Sequence, residues 1–288
     1  MRAILRGHWV GLKLKRALSF LKDVFREFGE DRGSLFAAAI SFYGLISLIP
    51  LLLLGIAVLG YITGSYDAAR EQIVSVARDF IPVGTEAVEQ NLELVSRQSG
   101  LLGGLGLLGL LWTGSQVFVI LQQVMNIALG AKARVSFLRA RATALAVVIV
   151  VGMLFALSLG ITSLLTAIRD FDVKMWGFWP GDLEAVWHFL GVLMPVVISI
   201  LAFGLAYRFL PSGKIGTAGP IIGGITAGLL FEAAKYAFRW YVTNIANFSR
   251  IYGSLGGIVV LVLWIYYVSI IAVLGAEVAS VYARREER

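Results

Sequence analysis

Residues 36–63 read FAAAISFYGLISLIPLLLLGIAVLGYIT, a run with no ionisable group other than tyrosine. About 20 such residues are enough to cross the hydrocarbon core of a bilayer, so this run predicts a transmembrane helix. Five more stretches of the same character follow, at roughly 101–128, 142–168, 186–210, 217–240 and 256–281. The expected fold is therefore all-α, a polytopic membrane bundle of six transmembrane helices over residues 36–281. Composition points the same way: 58% of the 288 residues are hydrophobic and 15% charged, against about 45–50% and about 25% in ordinary soluble domains. The first long apolar run begins only near Phe36, after a charged segment, so it is expected as a retained helix rather than a cleaved leader.

Residues 1–35 form a separate cytoplasmic unit in this reading. Leu14, Leu18, Leu21, Phe25 and Phe28 recur at steps of four and three, the spacing of one helix face, and Lys13, Lys15, Arg16, Lys22 and Arg26 fill much of the remainder. Such a helix either lies on the anionic cytoplasmic leaflet or packs under the bundle, and the two are compatible. Residues 64–100 are too polar to span. Ile73, Ala77 and Phe80, then Val88, Leu92 and Val95, predict two short amphipathic helices turning at Pro82 and Gly84, an extracytoplasmic hairpin.

Orientation follows from lysine and arginine, which resist translocation. With the N-terminus inside, 17 of the 25 basic residues fall in cytoplasmic segments, namely residues 1–35, the stretch from Lys132 to Arg141, Arg208 with Lys214, and the tail 282–288. The expected location is the inner (cytoplasmic) membrane of a bacterial cell, with both termini in the cytoplasm. This sorting accounts for the net charge of +7 without nucleic acid.

Ionisable groups inside the apolar spans are few and costly, and they normally face a partner or a water-filled cavity. Glu232 and Lys235 stand at i and i+3 in the fifth span, with Arg239 one turn further along the same face. They are either a structural ion pair or the wall of a cavity whose excess positive charge attracts an anionic ligand. The connection that follows, YVTNIANFSRIYGSLGG, adds Asn244, Asn247 and Arg250. Gln122, Gln123 and Asn126 in the second span and Tyr43 in the first are candidate helpers along the same ligand path. Glu277, near the inner end of the sixth span, is expected to pair with a base such as Arg208 or Lys214, or else to take part in proton coupling.

Gly219/Gly223 and Gly224/Gly228 are two GxxxG pairs, which allow helix backbones to approach closely in lipid. They serve packing within the chain or a homodimer face. Membrane lipids are the other expected partner. The chain has no cysteine and two histidines, His8 and His188, so neither a disulfide nor a His/Cys metal centre is expected. No metal, cofactor or catalytic residue is expected, since no HExxH, GxSxG, phosphate-loop or dinucleotide motif occurs.

Two stretches resemble the YihY/BrkB family of bacterial membrane proteins. One is FAAAISFYGLISLIPLLLLGIAVLG at 36–60, the other IYGSLGGIVVLVLWIYYVSIIAVLGAEVASVY at 251–282, with its Tyr252-Gly253-Ser254-Leu255-Gly256 turn and Gly275-Ala276-Glu277 ending. The resemblance implies a six-helix inner-membrane protein. An older label for some members, ribonuclease BN, finds no matching His/Asp cluster here. The working expectation is a transporter or exporter of an anionic or amphipathic, lipid-like solute, and the alternative is a non-transporting scaffold that organises envelope proteins or lipids.

Overall fold

The computed structural model describes residues 2–64, 71, 99–130, 136–169, 184–213, 216–244 and 256–286. They form seven α-helices: α1 (Arg2–Glu30), α2 (Gly33–Thr63), α3 (Ser99–Ala128), α4 (Phe137–Arg169), α5 (Glu184–Phe209), α6 (Ala218–Asn244) and α7 (Gly256–Glu286). No strand occurs among the described residues. Each of the six apolar stretches matches one helix from α2 to α7 to within a few residues. Among the described residues, α6 and α7 are long and apolar enough to cross a membrane by length and composition. The interiors of the expected 64–100 hairpin and of the 169–184 loop lie outside the described residues.

Packing follows chain order. α2 meets α3, α3 meets α4, and so on to α7, which closes the ring by returning to α2. α7 also touches α1, α3 and α5, and from Ile271 to Val281 only Leu274 along it is not buried. Small residues make this possible. A Cβ on Gly223 would stand 2.6 Å from the Gly275 carbonyl of α7, and one on Gly219 would stand 2.6 Å from the Ala279 carbonyl. On the other flank, a Cβ on Gly224 would lie 2.6 Å from the Gly204 Cα of α5, and one on Gly228 would lie 2.6 Å from the Ile200 side chain. Both GxxxG faces are thus filled from within the chain, one by α7 and one by α5. In lipid, where dispersion and backbone proximity drive helix association, this close fit holds α5, α6 and α7 together.

The α1–α2 elbow is tight. Arg32 takes a left-handed backbone (φ 56°), and its carbonyl accepts the first amide bonds of α2, from Leu35 at 2.9 Å and Phe36 at 3.2 Å. Gly33 lies against the Phe28 ring, which a Cβ would meet at 2.4 Å. Beyond the elbow, α1 runs along α7. Val24 packs with Val278 and Val281, Arg284 donates to Glu27 at 2.8 Å, and Arg285 bonds Asp23. The row noted in the sequence behaves differently from the face that docks. Leu18, Leu21 and Phe25 are 50–64% exposed, while Phe28 packs against the core, so the helix docks on the bundle by one side and presents the middle of its apolar row on another.

Candidate functional site

Close approach of α5 and α6 at Gly228 sets Ser199 beside Glu232. The Ser199 hydroxyl donates to Glu232 Oε1 at 2.8 Å, and the Lys235 ammonium lies 2.8 Å from Glu232 Oε2. The Lys235 nitrogen also stands 5.4 Å from the centroid of the Phe231 ring, within cation–π reach. Side chains 232 and 235 are 10% and 14% exposed, so the carboxylate is answered on both oxygens in a nearly dry setting. Aromatic rings flank it toward α5 and α7: Phe231 packs on Phe203 of α5 and Trp264 of α7, and Phe238 on Trp264 and Tyr267, with centroids 5.1–6.1 Å apart. Pro195 stands one turn before Ser199 in α5. Its missing N–H removes a helical bond and makes this helix easier to bend next to the ion pair.

The other residues of the expected ligand path do not converge here. Arg239 is exposed one turn further on. Asn244 spends its amide on Trp240 O and Thr243 Oγ1, both at 2.9 Å, at the end of its own helix. Asn247 and Arg250 lie outside the described residues. Tyr43 is half-buried on α2 with its ring against Phe42, and Gln123 is exposed.

Gln122 and Asn126 form a second, separate lock. The Gln122 amide donates to Leu210 O, Asn126 Nδ2 donates to Ser212 Oγ at 3.0 Å, and Ser212 N donates to Asn126 Oδ1 at 2.9 Å. These bonds tie α3 to the turn between α5 and α6. Glu232 lies 14 residues into α6 from that turn, about 21 Å along a helix axis, so the two polar groupings are distinct.

Arg208 is exposed at the end of α5. Glu277 is wholly buried and neither of its oxygens has a hydrogen-bond partner, so its expected pairing with Arg208 is not formed. Lys214, the other expected base, lies outside the described residues. Three contributors escaped the sequence reading. Ser199 was legible only as a hydroxyl one turn after a proline, and the clasp of Asp23 and Glu27 with Arg285 and Arg284 joins the two ends of the chain. Arg141 lies over the Trp112 ring at 4.4 Å and donates to Trp112 O at 2.9 Å, joining α4 to α3.

Outside the apolar spans, the clasp shifts two carboxyls. The Arg285 hydrogen bond holds Asp23 below its ordinary value, and the Arg284 hydrogen bond does the same for Glu27. Asp31, in the elbow, is pushed up, first by burial and then by the charge of Glu27. Among the described residues no three His, Asp or Glu side chains converge as a metal centre would require. A groove of about 460 Å³ lies between α4 and α5, lined by Ala142, Thr143, Ala146, Val147, Val150, Leu205 and Phe209, and is almost wholly apolar.

Comparison with known proteins gives a consistent set of relatives. A family model described as Virulence factor BrkB matches residues 24–288. A UPF0761 membrane protein of Alkalilimnicola ehrlichii is 29% identical over 274 residues, 94% of this chain and 59% of that protein, so the chain spans under two thirds of that relative's length. A UPF0761 membrane protein of Aliivibrio fischeri is 25% identical, covering 93% of this chain and 84% of its own. A protein of Bacillus subtilis named ribonuclease-like protein YfkH is 24% identical, with coverage of 94% and 97%. No solved structure matches.

Proposed function

The chain belongs to the BrkB family of bacterial membrane proteins, and from that premise we propose that it is a six-span inner-membrane protein, both termini cytoplasmic, that moves an anionic or amphipathic, lipid-like solute. Helices α2 to α7 number 26–33 residues each, or about 39–50 Å, longer than the roughly 30 Å of a bilayer core. The observation that carries the reading is the complete ion pair in the middle of α6, bonded to a proline-containing α5. Ionised groups at that depth are costly and mark solute or ion pathways. A closed Glu232–Lys235–Ser199 cluster beside a bendable helix is a gate: opening α5 away from α6 uncovers a carboxylate and an ammonium together, and Arg239 adds positive charge toward the far end. The α4–α5 groove supports an amphipathic solute, since it offers the same helix an apolar flank.

A second reading is favoured by one fact, that the pair is already satisfied. A scaffold needs nothing more from it, and α1 with its exposed apolar row gives such a scaffold a lipid-facing arm. We do not extend the ribonuclease-like name of one relative to this chain, whose sequence has two histidines and no cysteine.

The cysteine-free chain allows a clean test. Single variants Glu232→Cys, Lys235→Cys and Asn244→Cys are exposed to a membrane-impermeant maleimide in intact cells. Labelling at 232 and 235 as well as 244 supports a gate that hydrates. Labelling at 244 alone refutes it and leaves the scaffold.

A further inference from the structure

Glu277 is the buried ionisable group that the gate leaves unused. It lies on α7, 0% exposed, with both carboxylate oxygens unpartnered. One turn on, the Ser280 hydroxyl is also 0% exposed and unpartnered. Native interiors leave very few polar atoms in that condition, and a lone buried carboxylate is among the costliest. Three unsatisfied oxygens on one helix face therefore point to something that binds oxygen.

The surroundings say what it is. Asp31 in the elbow and Glu27 on α1 act on Glu277 as like charges, and Arg284 acts as an opposite one. Arg284, however, is engaged with Glu27 at 2.8 Å. The start of α2, residues 33–40, has no ionisable side chain, and α6 meets α7 along Gly275 and Ala279, on nearly the opposite face from Glu277. Two carboxylates face Glu277 against one base; that base is held by Glu27, Arg285 by Asp23, and Arg32 of the elbow is exposed, a balance that favours a cation. Oxygen-only donors suit a hard ion, and the lack of three converging acids or histidines among the described residues argues for a single charge.

We propose that Glu277 and Ser280 bind a small monovalent cation, an alkali ion or a proton, at the junction of α1, α2 and α7. The site stands apart from the Glu232 pair and does not depend on it, since that pair is complete on other helices.

The test uses the full chain in nanodiscs of neutral lipid, with thermal unfolding followed in sodium or potassium chloride and in choline chloride at equal ionic strength. If an alkali ion binds, the wild-type Tm rises by roughly 5 °C at a hundredfold excess over Kd, Glu277→Gln shows no ion-specific rise, and the control Glu232→Gln keeps it. Ser280→Ala retains the carboxyl and weakens the response, which preserves the test should Glu277→Gln fold poorly. If a proton binds, the alkali response is absent, and infrared difference spectra show a carboxylic C=O band that titrates with pH and is missing in Glu277→Gln. Equal alkali responses in wild type and Glu277→Gln, or the absence of both the response and the band, overturn the proposal. Neither readout involves transport or maleimide labelling, so this site and the gate fail separately.

Discussion

Glu232 and Glu277 sit in neighbouring helices, 8% and 0% exposed, yet only Glu232 has hydrogen-bond partners. The α5–α6 seam brings a hydroxyl, Ser199, up to the carboxylate, and the helix itself supplies Lys235 one turn away. The α6–α7 seam runs along Gly275, Ala279 and Ala283, on nearly the opposite face of α7 from Glu277, so it brings that carboxylate no donor. Close packing is thus neutral as to function. What separates a closed polar centre from an open one is whether the backbone approach delivers a donor, and that difference can be broken or sharpened by substitution.

The largest effect is expected from Lys235→Met. It leaves Glu232 buried with one oxygen unanswered, and breaking a buried pair from one side costs about 3–5 kcal/mol. Thermal unfolding in detergent should show this loss, and the double variant Glu232→Gln/Lys235→Met should recover most of it. A double variant no more stable than Lys235→Met alone would mean that the pair holds nothing together, and the contrast with Glu277 would lose its basis.

Next comes Gly223→Ala. The new methyl would meet the Gly275 carbonyl at 2.6 Å and the Ala279 methyl at 2.7 Å, and overpacking of this kind costs about 1–3 kcal/mol. The same change at Gly152 on α4 meets nothing within 4 Å and should be harmless or slightly stabilising. Equal Tm values for the two variants would show that the seam is looser than its geometry.

Tyr207→Phe is smaller. It removes the bond from the wholly buried Tyr207 hydroxyl to Ala272 O at 2.7 Å, which joins α5 to α7. The expected loss is about 1 kcal/mol, measured as a shift in Tm. A variant as stable as wild type would show that α5 is held to α7 by its glycines and rings alone.

How much of this was legible in the sequence depends on the range of the interaction. The six apolar runs coincide with α2–α7 because lipid-compatible composition is a local property. The helices run past the apolar runs at ends where charges have distant partners: α4 begins at Phe137, and its Arg141 lies over Trp112, while α7 runs to Glu286, and its Arg284 and Arg285 reach α1. Glu232 with Lys235 was visible from its i, i+3 spacing. Ser199 was not, lying 33 residues away on another helix. Gln122 and Asn126 stood out as a polar row, but their destination, the turn after α5, depends on how α3 sits against it. On α1, periodicity marked Leu18, Leu21 and Phe25, which stay exposed, and was silent about the face carrying Asp23, Val24 and Glu27, which docks.

That docked face gives the mildest way to sharpen the comparison, because its ion pairs are partly exposed where the Glu232 pair is not. Asp23 and Glu27 are held below their ordinary values by Arg285 and Arg284. A carboxyl lowered in the folded state contributes stability that is fully present above its unfolded value, about 3.9 for Asp and 4.3 for Glu, and is lost as pH falls through the folded value. Asp31, raised by burial, runs the other way: deprotonation costs the fold, so acid relieves it. Acidification below about pH 4 should therefore loosen α1 from α7. Hydrogen exchange should show protection falling along residues 15–30 before it falls in α6. In the double variant Asp23→Asn/Glu27→Gln the same region should exchange faster at neutral pH and respond little to acid. Exchange in α1 that is insensitive to both acid and the double variant would mean that Val24 and its valine partners alone hold the helix, and that the charged clasp only orients it.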